Sequence, residues 1–134
     1  MKYFCTVSHE NEMWVVEFPD LPNVITWGDT KEEALQMASE ALNGAVASDV
    51  ARGILPPLPR FSEGHPVELE PQIVTAIELR TLRGKNTQAE IASRIGISYQ
   101  AYQRIENPIA GNPTVKTLNK IARAFGKRLE IHLT

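Results

Sequence analysis

Five side chains in one short stretch, Ser98, Tyr99, Gln100, Gln103 and Arg104, carry hydrogen-bonding tips of the kind that read base edges and phosphates. On a helix at about 100° per residue, Tyr99, Gln100, Gln103 and Arg104 occupy most of one side, and Ala101, Tyr102 and Ile105 share the other. The remaining chemistry-bearing residues are less coherent. Glu17, Asp20 and Asp29 are the carboxylates a nuclease would need for a pair of Mg²⁺ ions about 4 Å apart. Asp20 and Asp29 sit beside Pro and Gly in turns, where Asp is a common structural choice, and no base or nucleophile accompanies them. His9, His65 and His132 fall in no metal-ligand spacing, and His65 among Glu63, Glu68 and Glu70 reads as a solvated loop. No Gly-rich phosphate loop and no G-x-S-x-G element is present. Binding rather than catalysis is expected, with no metal and no cofactor.

The elements that position the five side chains are written into Thr87–Asn107. Thr87-x-x-Glu90 is a capping box that opens a helix, with Ile91, Ala92 and Ile95 on its inner face. Gly96 ends it, since Gly enters the left-handed conformation without steric cost. Ile97 plugs the turn and Ser98 caps the next helix. Before this stretch, Gln72–Arg83 shows helical spacing of Ile73, Val74, Ile77 and Leu82, with Gly84 as a stop. After it, Thr114 caps a helix with Val115, Leu118, Ile121, Ala122 and Phe125 inward, and Lys116 in its first turn. Lys127–Thr134 alternates Leu129, Ile131 and Leu133 with Arg128, Glu130 and His132, a strand pattern. A lone strand after a helical domain lacks a partner in its own domain. Pairing with the same strand of a second copy across a two-fold axis is therefore expected.

The first half has a different pattern. Lys2–Ser8 and Met13–Phe18 alternate as a hairpin, and Val24–Trp27 forms a third short strand. Thr30-x-x-Glu33 opens a helix with a stripe at Ala34, Leu35, Ala38, Leu42, Ala45 and Val46, ending near 51–53. Leu55–Arg60 cannot continue it because of its prolines. Val67–Leu69 is a fourth strand. The fold class is α+β: a β-β-β-α-β domain over residues 1–70 and an all-α domain over 71–134 that ends in a dimerising strand.

Charge divides the chain at the same place. Residues 1–70 hold 12 acidic and 4 basic side chains, a balance of −8; residues 71–134 hold 4 acidic and 10 basic, a balance of +6. The basic half suits a polyanion, the acidic half a basic protein surface. No apolar run approaches the ~20 residues of a membrane span, no signal-type segment opens the chain, and a cytosolic protein is expected. The single Cys5 excludes an internal disulfide and reads as a buried thiol. Of the tryptophans, Trp14 is expected in the core; alternation does not place Trp27.

Thr87–Asn107 resembles the Xre/Cro/CI-type DNA-binding domain. The resemblance implies that Gln88 binds a phosphate and that Ser98, Tyr99, Gln100, Gln103 and Arg104 face bases in the major groove. It also puts Arg83, Lys85 and Lys116 where such domains touch phosphate. Tyr102 departs from the usual Ile or Val, and Asn107-Pro108 from the usual Asn-Gly.

The run Val15–Pro22 (VVEFPDLP), then TWGDT at 26–30 and Glu33-Ala34-Leu35, resembles the HicB antitoxin family over about residues 1–70. That resemblance implies a partial RNase H-like fold. It also implies a partner, a small basic HicA toxin that degrades mRNA, which HicB binds and neutralises. Members with a DNA-binding half repress their own operon. Such members often act as higher oligomers, so the homodimer expected from the terminal strand can extend to a tetramer built from dimers. Two other readings compete: a ligand-sensing or merely dimeric Xre-type regulator without a toxin partner, and a nuclease retaining RNase H chemistry.

Overall fold

A computed structural model describes residues 1–134. The first half is an antiparallel sheet of four strands, β1 (Lys2–Glu10), β2 (Met13–Glu17), β3 (Ile25–Gly28) and β4 (His65–Glu68), in the order β3-β2-β1-β4. One helix, α1 (Lys31–Ala51), lies against it. The β1–β2 turn is tight enough that Asn11 and Glu12 both take positive φ, 48° and 65°. The fourth strand begins at His65 rather than at Val67, because β1 extends a ladder back to that point: Tyr3 pairs with Val67 and Cys5 with His65.

Alternation decides the two faces of the sheet. Tyr3, Cys5, Val16, Thr26 and Val67 point to one side and are buried there against Ala34, Ala38, Leu42 and Val46 of α1. Thr30 caps α1, its hydroxyl accepting from the Glu33 N–H at 3.1 Å. Gly28 is required at the end of β3, since a Cβ there would sit 2.5 Å from the backbone nitrogen of Ala34. Cys5 is a fully buried free thiol whose pKa burial pushes up. Trp14 is half-buried and stacks on His9 with ring centroids 4.5 Å apart, whereas Trp27 is 57% exposed.

The Pro-rich segment after α1 is tied back to the sheet. The Tyr3 hydroxyl donates to the Pro57 carbonyl at 2.5 Å, and burial and the Asp20 charge push its pKa up to about 12. Asp20 Oδ2 accepts from the backbone N–H groups of Arg60 and Phe61 at 3.0 and 2.9 Å. Asp20, one of the carboxylates weighed for catalysis, thus fastens a loop.

The second half is four helices: α2 (Pro71–Arg83), α3 (Gln88–Ile95), α4 (Tyr99–Ile105) and α5 (Val115–Ala124). The core of the first half extends past residue 70, because Ile73, Ala76 and Ile77 at the start of α2 are buried with α1 and the sheet. Asn43 of α1 pins this junction. Its Oδ1 accepts from the Glu70 N–H at 2.7 Å and its Nδ2 donates to the Glu68 carbonyl at 3.2 Å. A second core, Leu79, Ile91, Ala92, Tyr102 and Ile121, closes the helical half.

The expected terminal strand is not formed within the chain. Lys127 N–H still donates to Ala122 O, but from Arg128 onward the backbone makes no hydrogen bond. The only sheet lies in the first half, and none of its strands pairs with this segment. Leu129 is half-buried near Leu79 and Leu118, while Ile131 and Leu133 are 59% and 97% exposed.

Candidate nucleic-acid interface

The interface is built from two short helices joined at a glycine. The Thr87 hydroxyl caps α3 by accepting from the Glu90 N–H at 3.1 Å. The capping box is only half made, as the Glu90 carboxylate gives no return bond. Gly96 takes φ 77° in the left-handed region, which turns the chain and lets the Ile97 N–H reach the Ala92 carbonyl at 3.0 Å. Ser98 then caps α4, its Oγ accepting from the Ala101 N–H at 3.1 Å. Small, buried Ala92 allows α4 to cross α3 closely, and Ile91 and Tyr102 fill the contact.

This packing leaves the outer side of α4 free. Ser98, Tyr99, Gln100, Gln103 and Arg104 are all exposed on it. The Gln103 amide donates to the Tyr99 hydroxyl at 3.0 Å, so two of the five are held in one arrangement one turn apart. Lys116 is exposed in the first turn of α5, behind the Thr114 cap.

Behind the exposed row lies a group that sequence reasoning missed. Glu106, at the end of α4, is fully buried. Arg83 Nε and Nη2 donate to its two carboxylate oxygens at 2.8 and 3.0 Å, and Gln88 Nε2 donates to Oε1 at 3.0 Å. Arg80 Nε and Nη2 both donate to the Glu106 backbone carbonyl at 3.3 Å. Burial works to raise the Glu106 pKa, but the Arg83 hydrogen bonds, the adjacent Tyr102 hydroxyl, the Gln88 hydrogen bond and the Arg83 charge outweigh it and hold the carboxyl below its usual range. One residue thereby ties together the ends of α2 and α4 and the start of α3.

Two phosphate assignments change as a result. Arg83 is not a free cation, since its guanidinium is occupied by Glu106 and the Asn86 carbonyl. Gln88 is half-buried and spends one amide hydrogen on Glu106, which fixes its orientation and leaves its other hydrogen and its carbonyl.

Tyr102, the departure noted in the sequence, is completely buried as a core residue of α4. Its hydroxyl is sealed from solvent and lies beside the Glu106 carboxylate without a well-formed hydrogen bond to it, and burial together with that carboxylate pushes its pKa up. Tyr102→Phe removes an unpaired polar atom and keeps the ring. The expected result in urea unfolding is unchanged or slightly higher stability, by up to about 1 kcal/mol; a loss beyond that range would show the hydroxyl to be paired.

Asn107 replaces a plain turn with a side-chain one, its Oδ1 accepting from the Ile109 and Ala110 N–H groups at 2.8 and 3.1 Å. The end of α1 and the turn that follows it, Ala51–Gly53, line the same cleft as Gln88, Tyr99 and Gln103. The first half therefore borders the exposed row directly.

A one-helix α+β half joined through α2 to a helical half that presents an exposed helix beyond a glycine turn defines a two-module binding protein. Residues 77–131 match the helix-turn-helix family, and residues 2–70 match the family described as "HicB_like antitoxin of bacterial toxin-antitoxin system". The chain belongs to the HicB antitoxin family, with a helix-turn-helix DNA-binding domain as its second half. Among its relatives, "Antitoxin HicB 2" of Photorhabdus laumondii is 32% identical over 133 residues, covering 98% of this chain and 95% of the relative. "Antitoxin HicB 1" of the same organism is 32% identical over 136 residues, covering 99% and 87%. "Antitoxin HicB" of Escherichia coli K12 is 30% identical over 136 residues, covering 98% of each.

Proposed function

We propose that this chain neutralises a HicA-type, mRNA-degrading toxin by direct binding through its first half, and represses its own operon by binding operator DNA through residues 71–134. The observation that carries the reading is the exposed row on α4, set on a closed helical core and joined without a flexible linker to an acidic HicB-like half. Gln100 and Arg104 supply base-edge contacts; Gln88 and Lys116 hold phosphates on either side. The end of α1 beside Gln88 and Tyr99 supports a link between the two activities, because the toxin-binding half there borders the DNA-reading row.

Two assays test this. Footprinting of the DNA upstream of its own gene should show a protected site with two half-sites, and co-expression should restore growth of cells producing the HicA-type toxin. A chain that protects no upstream DNA, or leaves the toxin active, contradicts the corresponding half of the proposal.

Half-site spacing requires two copies at a fixed separation. In this reading the terminal segment supplies it: Leu129, Ile131 and Leu133 pair with the same residues of a second chain, which accounts for apolar side chains left in solvent. Deleting Leu129–Thr134 should convert the dimer to a monomer in sedimentation. It should also weaken binding to the two-half-site operator at least about a hundredfold, by loss of the linked second site. An unchanged oligomer would remove the strand-pairing idea.

A further inference from the structure

The sheet of the first half is covered on one side only. α1 lies over the face that carries Tyr3, Cys5, Val16 and Thr26. Strand alternation sends Phe4, Val15, Ile25 and Trp27 to the opposite face, where no helix of the chain covers them. Ile25 and Trp27 remain 54% and 57% exposed, an indole and an isoleucine side by side on an edge strand. A Trp that lies in the open on a rigid strand costs solubility and suits a contact with another protein.

The register places a charge in this patch. Trp27 stands opposite Val15, and Glu17 stands opposite Ile25. Glu17 and Trp27 are therefore diagonal neighbours on one face, on the order of 7 Å apart. Glu17 is exposed and takes part in no ion pair within the chain. A carboxylate between Ile25 and Thr6, beside Val15 and an exposed indole, is a setting that receives a guanidinium or an ammonium. The charge pairs with the carboxylate while the cation lies on the ring.

Electrostatics also select the occupant. The half that carries this face has a balance of −8. A second copy docked here across a two-fold axis would bring acidic surfaces together, Glu17 near its own mate, and like charges across an interface disfavour it. A basic protein meets the opposite condition.

We propose that the open sheet face is where the toxin docks, with one basic side chain of the toxin held between Glu17 and Trp27 and apolar contact made to Val15 and Ile25. This rests on the reading of the chain as the antitoxin of a basic HicA-type toxin. The covered face and α1 then serve as the support that keeps β2 and β3 in register, and the DNA-reading helix stays outside the contact.

The test is calorimetric titration of the full chain with a catalytically inactive form of the HicA-type toxin. Trp27→Ala should weaken binding about thirtyfold or more, as for an aromatic anchor, and Glu17→Lys at least as much. Glu40→Lys makes the same charge change on the exposed side of α1 and should alter affinity by less than about threefold, as a peripheral charge does. All three should bind operator DNA like the parent, which shows that they fold. The proposal is overturned if both sheet-face variants bind toxin like the parent, or if Glu40→Lys is the variant that fails. It is also overturned if Trp27→Ala breaks up the oligomer while toxin affinity is retained, since the face would then join copies of this chain. Failure of the parent itself to bind the toxin overturns the functional reading, and this proposal with it.

Discussion

Replacing Gln100 and Arg104 together by Ala should remove specific operator binding and leave toxin neutralisation intact. Both side chains are exposed on α4 and neither supports the core, so the fold has no reason to change. A good bidentate contact to a base is worth about 1–3 kcal/mol of discrimination. Losing two should lower affinity for the operator by roughly a hundredfold to a thousandfold, toward the level of unrelated DNA. Fluorescence anisotropy with operator and scrambled duplexes at one fixed salt concentration measures this directly. Retention of operator preference by the double variant would mean that α4 is not the reading helix.

The other large effect is expected at Glu106. Glu106→Ala leaves Arg83 without its carboxylate and takes away the charge 3.7 Å from Arg80, which keeps only its bonds to the backbone carbonyl; the two arginines are 17% and 15% exposed. Breaking a buried ion pair from one side costs about 3–5 kcal/mol; the partial exposure of the arginines favours the lower end. For a helical half of this size each kcal/mol is worth several degrees, so a drop in melting temperature of roughly 10 °C or more should follow. Gln88 loses its orienting acceptor in the same variant, so DNA affinity should fall even below the melting range. The pH dependence has a definite sign. The folded-state pKa of Glu106 lies below the ordinary value of 4.5, so its contribution to stability is complete well above pH 4.5. It fades as pH falls through and below that value, and Glu106→Ala should flatten the acid limb of the stability curve. A loss under about 1 kcal/mol at neutral pH would show the network to be dispensable.

Much of this architecture was legible in the residues because the signals are local. Thr30, Thr87, Ser98 and Thr114 each cap the helix that follows, and Gly96 turns the chain where its neighbours end a helix. Periodicity likewise located the strands and α1, because each has one buried face. What the sequence did not show depends on distance. Glu106 looks like an ordinary acidic residue at a helix end; its partners stand 18 and 23 residues away, and only the crossing of α2, α3 and α4 brings them together. The same crossing withdrew Arg83 from the phosphate-binding residues. Trp27 was undecidable from alternation because Thr26 and Trp27 could each face inward. The close approach of Gly28 to Ala34 settles it by turning the small residues of β3 toward α1. The terminal segment is a different case. Its alternation is genuine, but a strand is a relation between two chains of hydrogen-bonding groups, and one of them is not in this molecule.

The central claim is that one chain couples a basic toxin to an operator. The most direct measurement is affinity purification of the tagged full-length chain from its own host, with identification of what elutes. The account predicts a stoichiometric small basic protein encoded beside its own gene, in a complex that still binds the upstream DNA. A chain that elutes alone, or with no partner encoded beside it, would contradict the account.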